Sequence, residues 1–280
     1  MLGFGLTPIF VRLSEVGPVA TAFYRTLLAI PLLLLWLRAD QRDGTIIESR
    51  PLRQDYAWLV FSSVFFANIL AVGQTTFVIT SVANATLLGN MTPIFVVIGG
   101  ALLFGERITP LFLLGVVVSI AAASVLVSGG QIDLGVVLFG DGLALFQALN
   151  YGVYILLLKR VRRTFSAATI VTWNAVVAAV VLLPLGVFLD EVVVPLSIAG
   201  WAVLVGIALV SHVGAQSCLT YSLAQISASL VAVSMLGIPV VSAAVAWVLL
   251  DEPMSVLQII AGAAVLVGVF VSQHAQARAS

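Results

Sequence analysis

Apolar residues run along this chain in stretches of helix length parted by short polar linkers, at about 1–13, 17–38, 56–80, 83–104, 108–128, 136–158, 165–189, 198–221, 226–250 and 255–273. All but the first reach the roughly 17–25 residues that carry an α-helix across a hydrocarbon core. The runs are unbroken rather than alternating, which excludes membrane-spanning strands. The pattern predicts an all-α integral membrane protein with ten transmembrane helices. Residues 1–13 give a helix of only about 20 Å, against a core of about 30 Å. The expectation is therefore that helix 1 starts upstream of Met1, because its counterpart begins about a dozen residues earlier relative to the repeat, near Gly135. The longest linker, Ala39 to Asp55, carries Asp40, Arg42, Asp43, Glu48, Arg50, Arg53 and Asp55 and reads as a solvated loop.

The pattern also repeats. Pro93 and Pro239 stand 146 positions apart, as do Glu106 and Glu252, and both acids close an apolar run. Gly5 and Gly152 stand 147 apart, as do Arg12 and Lys159. The chain therefore divides into two five-helix repeats, 1–130 and 131–280, expected to form one transport domain. In membrane proteins an internal repeat places a central site between its copies.

Composition narrows the class. Hydrophobic residues make up 61% of the chain and charged residues 9%, against roughly 25% charged in soluble domains, so a soluble fold is excluded. Twelve basic and twelve acidic residues cancel, which argues against a nucleic-acid partner. The single cysteine, Cys218, allows no intrachain disulfide. A cytoplasmic N-terminus followed by ten crossings puts Arg38, Arg42, Arg50, Arg53, Arg107, Lys159, Arg160, Arg162, Arg163 and Arg278 on the cytoplasmic side and only Arg12 in an outside loop. That asymmetry predicts both termini in the cytoplasm. An odd number of helices per repeat then inverts the second copy. With no basic n-region or small-residue cleavage site, no signal peptide is expected.

A proline inside a helix removes one backbone hydrogen bond and crowds the preceding turn, so Pro93 and Pro239 are expected hinges or static kinks. Gly89, Gly99, Gly100 and Gly237 are expected to let helices pack closely. Gln147, Asn150, Tyr151 and Tyr154 share one helical face, as do His212 and Gln216, with Ser211 and Ser217 beside them. Asn68 and Gln74 fall in the third helix, Asn90 and Thr92 in the fourth, and Trp173 and Asn174 in the seventh. An unpaired amide in lipid costs several kcal/mol, so each of these either lines a cavity or bonds a neighbouring helix. Together they predict a substrate-binding set of Asn68, Gln74, Asn90, Gln147, Asn150, Tyr151, Tyr154, Trp173, His212 and Gln216. His212 suits a proton relay, a hydrogen bond to a substrate carboxylate, or a satisfied core position. Arg25 and Asp141 are each expected some 8–10 Å inside a helix end, where they form a charge pair or coupling site, or Arg25 snorkels to the surface. Glu106 and Glu252 are expected to be structural, at helix-to-helix turns. No metal-ligand spacing, phosphate-binding glycine loop or G-x-S-x-G elbow occurs, so neither metal nor cofactor is expected. An intramembrane enzyme using His212 with a serine is a rival reading, although Ser211 and His212 cannot pair with each other, since adjacent helical residues point about 100° apart.

Gly5, Phe23-Tyr24-Arg25, Pro93 and Gly105-Glu106-Arg107-Ile108-Thr109-Pro110, with Asp251-Glu252-Pro253 repeating the last of these, resemble the drug/metabolite transporter superfamily, each half being similar to an EamA module. Phe4 departs from the tryptophan often found before that glycine. Among members the chain is most similar to the YddG type, exporters of aromatic and neutral amino acids. The resemblance implies a secondary transporter of a bacterial-type inner membrane that exports small organic solutes, neutral or aromatic amino acids first, by alternating access. A drug/metabolite exporter or facilitator of another solute class remains the alternative, and proton coupling remains open. Phosphorylated solutes are disfavoured on physical grounds, because only Arg25 among the basic residues lies within the membrane.

Overall fold

The structure, a computed structural model, describes residues 2–42, 51–79, 88–128, 138–249 and 254–277. All the elements among them are helical. They are α1 (Leu2–Leu13), α2 (Pro18–Gln41), α3 (Arg53–Ile79), α4 (Thr92–Phe104), α5 (Pro110–Ser128), α6 (Leu138–Val161), α7 (Ala167–Leu189), α8 (Ile198–Ser222), α9 (Ala228–Leu249) and α10 (Val256–Ala277). Among the described residues, eight of these are long and apolar enough to cross a membrane, and α1 and α4 are shorter apolar helices.

Helix ends follow from local chemistry. Ser166, Ser197 and Ser227 cap α7, α8 and α9, each side chain accepting a hydrogen bond from the backbone N–H three residues on. Acids from distant segments take more of the unpaired N–H groups. Glu15 accepts from the backbone N–H of Leu196 at 2.9 Å and of Ser197 at 3.0 Å, and from the Ser197 hydroxyl. These bonds, the hydroxyl's first, hold the Glu15 carboxyl below its usual range. Asp190 accepts from Ala20 N–H in the first turn of α2. Glu106 accepts from Ala228 N–H at 2.7 Å, Ser229 N–H at 3.2 Å and the Ser229 hydroxyl. Its task is structural, but it serves the start of α9, far along the chain from its own turn. Glu252 lies outside the described residues. The α4 C-terminus closes at Gly105, whose φ of 66° is strained for any side chain.

The chain forms two compact units, and each takes elements from both halves of the sequence. Unit 1 holds α4, α5, α9, α10, the first residues of α1 and most of α6. Here α5 and α10 pack antiparallel. The Ser119 hydroxyl donates to the Val265 carbonyl at 3.3 Å, and the Ser272 hydroxyl to the Phe112 carbonyl at 3.2 Å. The donor and acceptor of one bond each stand 153 positions from those of the other, so the contact is symmetric in itself but out of step with the 146–147 positions that separate the repeated motifs. Gly115 and Gly268 permit it, because a Cβ on either would sit under 3 Å from the other's carbonyl oxygen. A second correspondence lies in the same unit: the Gly5 carbonyl accepts from Ser242 of α9, while Gly152 of α6 rests against Phe95 of α4. Gly99 and Gly100 also pack closely, against Leu156 and against Glu106 and Ser229.

Unit 2 holds α2, α7, α8, most of α3 and the ends of α1 and α6. Here α2 and α7 run antiparallel. Ala20 meets Gly186 at one end of the contact, and the Thr172 hydroxyl approaches the Leu33 carbonyl at 3.4 Å near the other. Ala29, Leu33, Val171, Ala175 and Ala208 fill the seam with α8. Arg162 ties the end of α6 to α8, its Nε donating to the Thr220 carbonyl at 3.0 Å and its Nη1 to the Phe165 carbonyl at 2.6 Å. The guanidinium thereby satisfies a carbonyl that the end of α8 leaves unpaired.

Candidate functional site

In unit 1 one helix is interrupted and another begins at a turn of the same kind. In α9 the segment Ala228–Met235 ends in a turn at Leu236 and Gly237, whose N–H groups reach back only three residues, to Val233 and Ser234 at 3.0 Å each, and a new segment starts at Ile238. The break lies about 13 Å from the start of α9, close to mid-membrane depth. Before α4, residues Asn90 and Met91 form the same kind of turn, with Met91 N–H on the Leu88 carbonyl at 3.0 Å. Pro93 and Pro239 are each the second residue of the restarted segment. This corrects their expected place in a helix interior: in a first turn the proline's missing N–H would be unpaired anyway, and its fixed φ suits the new helix. Gly89 and Gly237 differ from expectation as well. A Cβ at Gly89 would meet nothing within 4 Å, and one at Gly237 only the Ser234 carbonyl of its own helix, so they belong to the turns and not to close packing.

Both turns open on one cavity of about 220 Å³, lined by Gly89, Asn90, Thr92, Pro93, Tyr151, Ala232, Met235, Leu236, Ile238 and Pro239. The wall is apolar except for Asn90, Thr92 and Tyr151. Thr92 is tied down by its hydroxyl's bonds to the Gly89 carbonyl at 2.8 Å and the Ala148 carbonyl at 3.3 Å. The Asn90 Nδ2 is buried without a hydrogen-bond partner among the described residues, so a donor stands ready at the cavity wall. Tyr151 stacks on Tyr154 with ring centroids 6.0 Å apart.

The profile of the EamA-like transporter family matches residues 1–128 and again 138–272. The chain belongs to the EamA-like transporter family. Relatives include an uncharacterized transporter of Archaeoglobus fulgidus, 26% identical and aligned over 96% of this chain and 92% of its own. An uncharacterized transporter of Methanothermobacter thermautotrophicus is 27% identical over 96% of this chain and 82% of its own. A protein solved by crystallography shares the fold with a TM-score of 0.85 over 100% of this chain and 95% of that one, at 18% identity. Family and relatives point to a membrane transporter and not to an enzyme.

Of the residues expected to form the transporter's site, the cavity gathers Asn90, Tyr151, Pro93 and Pro239. Tyr154 is wholly buried behind Tyr151 and Asn150 is buried, its Nδ2 without a partner among the described residues, while Gln147 is half-buried; none of the three lines the wall. His212, Gln216, Arg25, Asn68 and Trp173 belong to unit 2. His212 lies in a π-helical stretch, Ala208–Gln216, within α8, fully buried against the Phe66 ring at 5.5 Å. Among the described residues neither ring nitrogen makes a well-aligned hydrogen bond; the Val171 backbone and the Arg25 guanidinium lie close enough to interact with the ring. Such π-turns recur at functional positions. Around it, the Ser211 hydroxyl bonds Thr7 at 2.7 Å and Asn174 accepts from Ser63 at 2.9 Å, so these groups join helices. Gln216 is buried as well. Asn68 and Trp173 are exposed, Trp173 by 42%. Arg25 and Asp141 fall in different units. The Gln74 side chain lies outside the described residues. Sequence reasoning missed Ala232, Met235, Leu236 and Ile238; the signal available was a glycine two to four residues before each proline.

Proposed function

We propose that this EamA-like transporter exports small organic solutes, neutral and aromatic amino acids first, by alternating access through the cavity between α4 and α9. The observation that carries this reading is that the interruption of α9 and the turn before α4 open on one cavity, since an interrupted helix at mid-membrane offers backbone donors and acceptors to a substrate and a place to bend. The volume of about 220 Å³ falls below the roughly 300–1,000 Å³ of drug-sized pockets, which favours a small metabolite. Among the described residues the wall carries no Lys or Arg, which disfavours phosphorylated solutes. Uptake into proteoliposomes with a panel of labelled amino acids, with and without a pH gradient, tests the reading and separates antiport from facilitated diffusion. Saturable counterflow of neutral amino acids is the expected result; transport of other solutes alone would overturn it.

The accompanying topology is ten crossings in two inverted repeats, 1–130 and 131–280, in a bacterial-type inner membrane with both termini cytoplasmic. The matching contacts of Gly5 with Ser242 and of Gly152 with Phe95, both partners offset by 147 positions, support it, as does the charge asymmetry of the loops. In a cysteine-free background, Glu191→Cys should react with an impermeant reagent from outside and Arg107→Cys only after permeabilisation. The reverse labelling would sink the orientation.

A further inference from the structure

A second pocket, of about 210 Å³ and wholly within unit 2, lies where α6 ends and α3 begins, lined among others by Asp55, Trp58, Arg160, Arg163, Thr164 and Phe165. Two guanidinium groups and one carboxylate meet there. Arg160 lies over the Trp58 indole, 4.9 Å from its centroid, which holds the cation in place. Asp55 uses one oxygen to accept from Leu52 N–H at 2.8 Å and keeps lone pairs for another donor.

The pocket continues into an aromatic strip. Trp58 meets Phe61 edge-on at 6.1 Å, and Phe61 meets Phe65 at 4.8 Å. Spacings of three and four put these rings on one face of α3. That face is open: Trp58 is 36% exposed and Phe61 45%. Trp58 sits five residues into α3, about 7 Å at 1.5 Å per residue, the depth at which indoles settle at a membrane interface. A soluble anion would use the guanidinium groups and leave the strip idle, whereas a lipid uses both.

We propose that this corner of α3 and α6 binds a phospholipid whose headgroup carries a primary amine, phosphatidylethanolamine. Its phosphate lies between Arg160 and Arg163, its ammonium on Asp55, and one acyl chain along Trp58, Phe61 and Phe65. A purely anionic headgroup would meet the Asp55 carboxylate as a like charge, and a choline headgroup has no N–H to give it. The site is independent of the transported solute.

Native mass spectrometry of the purified protein with equimolar phosphatidylethanolamine, phosphatidylcholine and phosphatidylglycerol of matched chains tests this. The ethanolamine lipid is expected to be retained about fivefold over the choline lipid, and Arg160→Gln to lower retention of all three lipids by a similar factor. Asp55→Asn is expected to reverse the order in favour of phosphatidylglycerol, a change that misfolding does not produce. Free phosphoethanolamine, which has no chains, should not compete at lipid-saturating concentration. Equal retention of the three lipids, an unchanged order in Asp55→Asn, full retention in Arg160→Gln, or competition by phosphoethanolamine on equal terms would each overturn the assignment.

Discussion

Pro184 and Pro239 sit in helices of similar apolar composition, yet only one helix is interrupted. Pro184 lies inside α7, which continues from Ala167 to Leu189, on an exposed face. Pro239 follows the turn that divides α9. The difference lies upstream. Val180-Val181-Leu182-Leu183 precede Pro184, whereas Leu236-Gly237-Ile238 precede Pro239 and Gly89-Asn90-Met91-Thr92 precede Pro93. A helix can carry one missing N–H if its neighbours hold the backbone helical; a glycine in the turn before removes that support, at roughly 1 kcal/mol relative to alanine. Proline by itself does not mark the interruption, and the glycine beside it does.

The comparison breaks most directly if α9 is made continuous. In the double variant Gly237→Ala, Pro239→Ala the melting temperature should rise and uptake into proteoliposomes should fall about tenfold, because restored helical bonds stiffen an element that must bend. Pro184→Ala should leave uptake within about twofold by the same reasoning. Equal rates in all of these proteins would reduce the interruption to a static feature.

Tyr151→Ala sharpens the contrast at the cavity wall. Removing the ring should lower kcat/KM for aromatic solutes about fivefold and change small solutes little, the scale of an altered apolar pocket. Initial uptake rates across a size series, at matched expression, measure this.

His212 tests whether unit 2 contributes. A buried imidazole with no well-aligned hydrogen bond among the described residues costs about 1–3 kcal/mol, so His212→Leu should raise the melting temperature by a few degrees. Uptake of every solute should nevertheless fall. Raised stability with unchanged uptake would make His212 a packing residue only.

The smallest effect is expected outside the membrane, at Glu15. Its carboxyl is held below the ordinary 4.5 by the Ser197 hydroxyl and the backbone N–H groups. The capping contribution is therefore present above that value and is lost as pH falls through the lowered folded one. Thermal melts from about pH 6 to pH 3 should show a shallower acid-side decline in Glu15→Gln.

The helices themselves were legible in the sequence because lipid offers the backbone no hydrogen-bond partner: a long apolar run must pair its own N–H and C=O groups, so run length alone decides the element. The family was legible too, through the motifs at Gly5, Pro93 and Gly105–Pro110, and so was the structural nature of Glu106. Which residue of a helix face reaches a cavity is another matter. Gln147, Asn150, Tyr151 and Tyr154 share a face by periodicity, but a neighbouring helix covers most of any face, and only Tyr151 meets the open volume. Asn174 was equally eligible for a cavity and instead accepts from Ser63 on α3. The burial of His212 against Phe66 and the capping of α9 by Glu106 depend on which segments come together. Those contacts join residues a hundred or more positions apart, and the tertiary structure decided them because periodicity along one helix carries no information about its partner.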